Sequence, residues 1–188
     1  MTRPALPEDR LVGGWTLLEE RRETLFSLPT TTVEGHTLLY EDAPLRERLA
    51  AATGRDQVWR FFFATGVEFT PPLPPGVGPA MVYPSVASEA KRAFADDLRE
   101  RGFRSVSRGR RERARSADGG RIRLQEYTAV LRLDGVEIDT TGWLGVWTTG
   151  SEFRIAGGAY PDLRDVDAEG PSPAACRQEL FDLLRAVS

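Results

Sequence analysis

Apolar residues recur with helical spacing in three stretches of the chain, and start and stop signals frame each of them. The first stretch predicts a short helix over about 43–53, between Asp42 as N-cap and Gly54 as the stop. The second predicts a central helix over about 86–101, with Ser85 as its cap. Both segments therefore have a helical pattern that agrees with their local capping residues.

The third stretch has the clearest signal, with Ser172 as N-cap and Pro173 at the first helical position. Its apolar stripe has helical spacing and comprises Cys176, Leu180, Leu183, Leu184 and Val187. A stripe of this kind must pack against another layer, so we expect these side chains to be buried.

Strand-like alternation of apolar and polar residues dominates the segment from about 103 to 160. Turn residues divide it into four parts, at Asp118-Gly119-Gly120, Asp134-Gly135 and Gly150-Ser151. Because such short turns join antiparallel neighbours, the pattern predicts a four-stranded meander.

Further strands are predicted upstream, over 32–40 and 58–63. Residues 15–27 have near-helical spacing but follow a glycine pair, and we interpret them as a strand in a hairpin. After the predicted strand at 58–63, the proline-rich stretch at 70–80 predicts a stiff extended crossover.

These elements predict an α+β fold with a mostly antiparallel sheet of six or seven strands, packed by two main helices. A three-layer α/β/α sandwich is one arrangement of this kind. The chain has 188 residues, which is enough for one substantial core. We therefore expect a flexible N-terminus over 1–12 and a single domain over 13–188.

Composition narrows the function classes. The sequence contains no apolar run that could serve as a signal peptide or membrane span, so we expect a soluble cytoplasmic protein without a membrane partner. Cys176 is the only cysteine and His36 the only histidine, so we expect no disulfide, no zinc and no cofactor. No nucleophile motif accompanies His36, and we assign no catalytic residue.

Positive charge is concentrated in the segment Arg104 to Arg123, which carries eight arginines and only two acids in a chain with a net charge of −3. Residues two apart on a strand share a face, so Arg111, Arg113 and Arg115 are expected to point the same way. Across the turn, Arg121 and Arg123 can join them. These five arginines are our candidate anion-binding residues.

The basic hairpin has two interpretations. As a binding surface it would hold phosphate or carboxylate groups, with an acidic protein or a nucleic acid as the candidate partner. As an ordinary solvated face, its arginines would pair with acids of the next strand, such as Glu137 and Asp139.

Two smaller candidate sites also follow from spacing. Trp143, Gly145 and Trp147 share one face of a strand, and the glycine leaves a slot that could hold a flat ligand or a helix side chain. The acidic loop with Asp165, Asp167, Glu169 and Gly170 matches the start of a calcium-binding loop, but its twelfth position is Cys176 instead of glutamate. We therefore expect no metal site there.

Three functional hypotheses remain from the sequence. We favour a binding or adaptor domain, because the charged hairpin is not accompanied by a catalytic set. The second is binding of a nucleic acid or a phosphate ligand through the hairpin at 104–123. The third is an enzyme that uses His36 with carboxylates in a pocket.

Overall fold

A computed structural model of the chain describes residues 3–133, 136–164, 166 and 169–188. Within them the strands are β1 Trp15–Leu28, β2 Thr31–Asp42, β3 Phe61–Thr70, β4 Arg104–Arg115, β5 Arg121–Leu133, β6 Val136–Thr149 and β7 Glu152–Pro161. The α-helices are α1 Ala43–Thr53, α2 Pro79–Glu100 and α3 Pro173–Ala186.

All seven strands form one antiparallel sheet in the order β1-β2-β3-β7-β6-β5-β4. The predicted α+β class and the predicted meander from β4 to β7 are confirmed. The strand interpretation of residues 15–27 is also confirmed, because β1 pairs with β2 along its length. The two ends of the sheet order, β1 and β4, are its edge strands.

Two separate hydrophobic clusters lie on opposite faces of the sheet. Alternation along β6 shows the division: Leu144 and Val146 belong to the cluster with α2, whereas Trp143 and Trp147 belong to the cluster with α3. The domain therefore has three layers, with α2 and α3 on either side of the sheet.

Local capping explains the bounds of α1 and α3. Asp42 accepts a hydrogen bond from the backbone N–H of Leu45 at 3.0 Å, and Gly54 ends α1 at a φ of 69°. Ser172 Oγ accepts from the N–H of Ala175 at 3.2 Å and begins α3. Both caps lie where the sequence predicted them.

Two predicted bounds were wrong. Helix α2 begins at Pro79 rather than at 86 and contains Pro84, because the turn before that proline packs well: Tyr83 stacks on Phe153 and donates to the carbonyl of Val146 at 3.0 Å. Strand β3 runs over 61–70 rather than 58–63, because its second half continues to pair with β2.

The N-terminal segment, expected to be flexible over 1–12, makes several contacts from residue 3 onward. Ala5 exchanges two backbone hydrogen bonds with Ser188, at 2.9 and 3.1 Å, and Leu6 and Leu11 pack against the cluster under α3. The flexibility of this segment stays a prediction.

Candidate anion-binding face

The register of the β4–β5 hairpin places five arginines on one face of the sheet. Arg113 lies directly opposite Arg123, and Arg115 lies opposite Arg121. Arg111 lies opposite Gln125, which shares the parity of the β5 arginines. We call the set Arg111, Arg113, Arg115, Arg121 and Arg123 the arginine face.

The arginine face lies on the α2 side of the sheet, beside that helix. Residues Ile122 and Leu124 of β5 point to the opposite side and belong to the cluster under α3. Further along β5, Tyr127 is covered by α2 and donates to the carbonyl of Lys91 at 3.0 Å. All five arginines are exposed to solvent.

In the described parts of the chain, no carboxylate lies within 4.0 Å of the guanidinium nitrogens of the arginine face. Arg111 Nε donates to Gln125 Oε1 at 3.4 Å, and the guanidinium of Arg123 lies 5.0 Å from the ring centroid of Tyr83. These two contacts hold side chains in place but leave the positive charge uncompensated.

The nearby acidic residues lie away from the arginine face. Glu112 points to the other side of β4, where it pairs with Arg177 of α3 at 2.6 Å. Glu137 pairs with Arg132 at 2.6 Å, and Asp139 lies opposite Val130. Glu137 and Asp139 therefore lie opposite the far end of β5, away from the arginines of the hairpin.

A further cation, Lys91 of α2, lies near this face, and sequence reasoning missed it. Burial lowers the pKa of Lys91, and the positive charges of Arg111, Arg108 and Arg123 lower it further. Lys91 belongs to a distant helix, so no pattern within the hairpin could have placed it beside the arginines.

The end of the hairpin is held against the rest of the domain. Asp118 accepts hydrogen bonds from the hydroxyl of Ser116 and from Thr149 Oγ1, the latter at 2.8 Å. These bonds, that of Ser116 first, lower the pKa of Asp118. The N–H of Ala117 donates to the carbonyl of Arg185 in α3 at 2.7 Å. The arginines thus lie on a braced hairpin.

The predicted aromatic slot is occupied by the protein itself. Trp143 and Trp147 are fully buried, and the ring of Phe181 packs edge-on against Trp143 at 5.0 Å. A Cβ placed on Gly145 would approach Ile122 Cγ2 to 2.8 Å and Leu124 Cδ2 to 3.2 Å. Side chains from β5 therefore fill the space beside Gly145, for which the spacing had left open a flat ligand or a helix side chain.

His36 is also sealed from solvent. Its Nε2 lies 2.7 Å from Glu20 Oε1, and Arg3 donates two hydrogen bonds to the same carboxylate, at 3.1 and 3.2 Å. The bonds from Arg3, and next that from His36, lower the pKa of Glu20 to about 2. A general base must reach its substrate, and His36 has no exposed surface in this structure.

The remaining candidate groups show no ligand set. Cys176 is buried on α3, and burial raises the pKa of its thiol. Asp165 and Asp167 of the calcium-like loop lie outside the described residues, and no metal-binding group of three or more His, Cys, Asp or Glu occurs within the described ones. None of the described helices combines the length and the apolar character needed to cross a bilayer.

Comparison with other proteins places the chain in a family but adds no relative of known activity. Neither the curated proteins nor the solved structures include a match to this chain. A family model does match, and it covers residues 3–188. The chain belongs to the family described as Domain of unknown function (DUF6517).

Proposed function

We propose that this protein is a binding domain whose arginine face holds the phosphate backbone of a nucleic acid. The observation that supports the proposal is the cluster of five exposed arginines that share one face and have no carboxylate within 4.0 Å in the described residues. Like charges directly opposite each other weaken a strand pair. An anion that bridges them would remove this repulsion.

The geometry suits a ligand with repeated phosphates. Guanidinium groups bind phosphate through two parallel N–H donors. Successive arginines on one strand face are separated by about 6.6 Å along the strand, and opposite arginines by about 5 Å across it. Several phosphates of one chain could therefore contact the face together.

The composition of the face favours a nucleic acid over a protein. The centre of a stable protein interface is usually apolar and aromatic, whereas this face consists of guanidinium groups. Because Trp143 and Trp147 are buried, they offer no surface for base stacking. We therefore expect binding to depend on phosphate contacts and to show little sequence preference.

The test compares the affinity for a fluorescently labelled single-stranded oligonucleotide with that for poly-glutamate over a range of salt concentrations. The double variant Arg113→Ala/Arg115→Ala should bind the oligonucleotide more weakly at low salt. Its plot of log affinity against log salt should be shallower by about 0.7 for each phosphate that the variant no longer neutralises. Stability should change by only about 0–1 kcal/mol, because these side chains are exposed.

The matched control is Arg21→Ala/Arg22→Ala on the opposite edge strand, which should bind like the wild type. Wild-type protein without affinity for the oligonucleotide at low salt would contradict the proposal. Equal reductions in affinity in both double variants would show that binding depends on the overall charge of the protein and not on the arginine face. Poly-glutamate that binds as tightly as the oligonucleotide would favour an acidic protein as the partner.

A further inference from the structure

A second feature lies away from the arginine face, in a cavity of about 300 Å³ between α2 and the strands at the β1 end of the sheet. We propose that this cavity binds a small uncharged molecule that is mainly apolar and carries one hydroxyl or carbonyl oxygen. The proposal is independent of polyanion binding.

Half of the residues that line the cavity are apolar. Leu25 and Phe26 come from β1, and Leu39 from β2. Phe63 of β3 and Phe94 of α2 face each other with ring centroids 5.8 Å apart. Apolar and aromatic walls of this kind are typical of small-molecule sites, whose affinity comes mainly from burial of ligand surface.

One pair of uncharged polar side chains also lines the cavity. Thr37 Oγ1 and Thr65 Oγ1 are 2.8 Å apart and both residues are buried. Only one of the two hydroxyl hydrogens is used in this bond, and the described residues supply no acceptor for the other. A buried donor without a partner is costly. An oxygen of a bound ligand would supply the missing acceptor.

The charged groups at the mouth are already paired, which argues for an uncharged ligand. Among the lining residues, Arg21 pairs with Glu23 at 2.9 Å and Arg92 pairs with Glu89 at 2.5 Å. Arg101 pairs with Asp97 at 2.8 Å. A charged ligand would lose its hydration without gaining a free counter-ion.

The volume limits the size of the ligand. About 300 Å³ lies at the lower end of the range for ligand pockets and corresponds to roughly ten water molecules at liquid density. A molecule with a single ring or with two fused rings fits this volume. We therefore choose 2-naphthol as the probe, with naphthalene and 2-naphthoate as its uncharged apolar and its charged counterparts.

The experiment measures the affinities of the three probes by ligand-observed NMR and calorimetry. We expect 2-naphthol to bind, and both other probes to bind more weakly. Thr37→Val/Thr65→Val, which removes both hydroxyls, should lower the affinity for 2-naphthol about two- to tenfold, the range for one hydrogen bond, and should leave naphthalene unaffected. Binding of 2-naphthoate as tight as that of 2-naphthol would contradict the uncharged class.

A variant at the mouth tests the location. Ala93 lines the cavity and is exposed, so Ala93→Trp should block entry and abolish probe binding. Ala80→Trp is the matched control, because Ala80 is also exposed on α2 but does not line the cavity. Unchanged probe binding in Ala93→Trp, or no binding of 2-naphthol to the wild type, would overturn the proposal. Oligonucleotide binding should be the same in both variants.

Discussion

The two edge strands of the sheet, β1 and β4, both carry many charged side chains. On β1 acids and bases are mixed and pair with each other, whereas on β4 arginines greatly outnumber acids. Strand β1 has three glutamates and two arginines between Glu19 and Glu23, and each glutamate has a partner: Arg21 pairs with Glu23 at 2.9 Å and with Glu19 at 3.8 Å, and Arg3 pairs with Glu20 at 3.1 Å. Strand β4 has six arginines and one glutamate, and that glutamate is engaged by Arg110 and Arg177.

Charged side chains protect both edges against pairing with another sheet. This shared role explains why an edge strand is charged, but it does not require one sign of charge. A row of arginines without acids weakens its own hairpin through repulsion, whereas a mixed row does not. The difference shows that neutralisation, rather than charge density, separates a solvated edge from a candidate binding face.

The largest effect is expected where β1 begins, at a buried ion pair. Arg60 is 4% exposed, binds Asp42 at 3.0 Å and Glu179 at 2.7 Å, and lies over the ring of Trp15. Arg60→Ala leaves Asp42 as a buried charge without its partner, so it should lower the free energy of unfolding by about 3–5 kcal/mol. Urea denaturation measures the loss. A loss below about 1 kcal/mol would show that this edge does not depend on the pair.

The next effect separates the two sides of β5. Ile122 lies between two arginines of the face but is 1% exposed and packs under α3. Ile122→Ala should therefore cost about 2–5 kcal/mol of stability. The neighbouring variant Arg121→Ala should change stability by no more than about 1 kcal/mol. Thermal and urea unfolding of both variants check this, and similar losses would contradict the assigned sides.

A pH titration should distinguish the two edges. The pKa of Glu20 is lowered to about 2, chiefly by its hydrogen bonds from Arg3, so its pairing stabilises the fold at pH values above its unfolded pKa of 4.5. This contribution is lost as the pH falls from about 4.5 towards 2. Arginine does not titrate in this range, so the charge of the arginine face itself should not change.

The measurement is the melting temperature against pH for the wild type and for Glu20→Gln. The difference between them should shrink as the pH falls through that window. A difference that stays constant from pH 6 to pH 2 would show that the Glu20 contacts do not contribute to stability.

The smallest effect tests repulsion within the arginine face. Arg121 lies opposite Arg115, so Arg121→Glu replaces a repulsive pair by an attractive one and should stabilise the protein by about 0.2–1 kcal/mol at low salt. The gain should fade at high salt. On β1 the reverse change, Arg21→Glu, breaks a formed pair and should destabilise. Denaturant titrations at two salt concentrations compare them, and a destabilising Arg121→Glu would contradict uncompensated repulsion.

Features that depend on local contacts were predictable from the sequence. The caps at Asp42 and Ser172 lie within three residues of the N–H groups that they bind, and the spacing of the arginines determines their common face. The start of α2 was not predictable, because the packing of Tyr83 outweighs the break that Pro84 suggests.

The same distinction holds for the candidate sites: features set by local spacing were predictable, and features that join distant segments were not. Spacing within the hairpin indicated the arginine face, but whether acids reach it depends on the register of β5 with β6. The proximity of Lys91 and the pairing of Thr37 with Thr65 join distant segments, so neither has a local signal. The side chains beside Gly145 come from the adjacent strand, so the spacing along β6 alone could not identify them.

The braced end of the β4–β5 hairpin has a consequence for the thermodynamics of binding. Because Asp118, Ser116 and Thr149 hold the turn, and Ala117 ties it to α3, the backbone that carries the arginines is already ordered before a partner arrives. Association then costs mainly the rotamer freedom of the arginine side chains rather than the ordering of a loop. We expect a small heat-capacity change on binding, since the surface that becomes covered is polar.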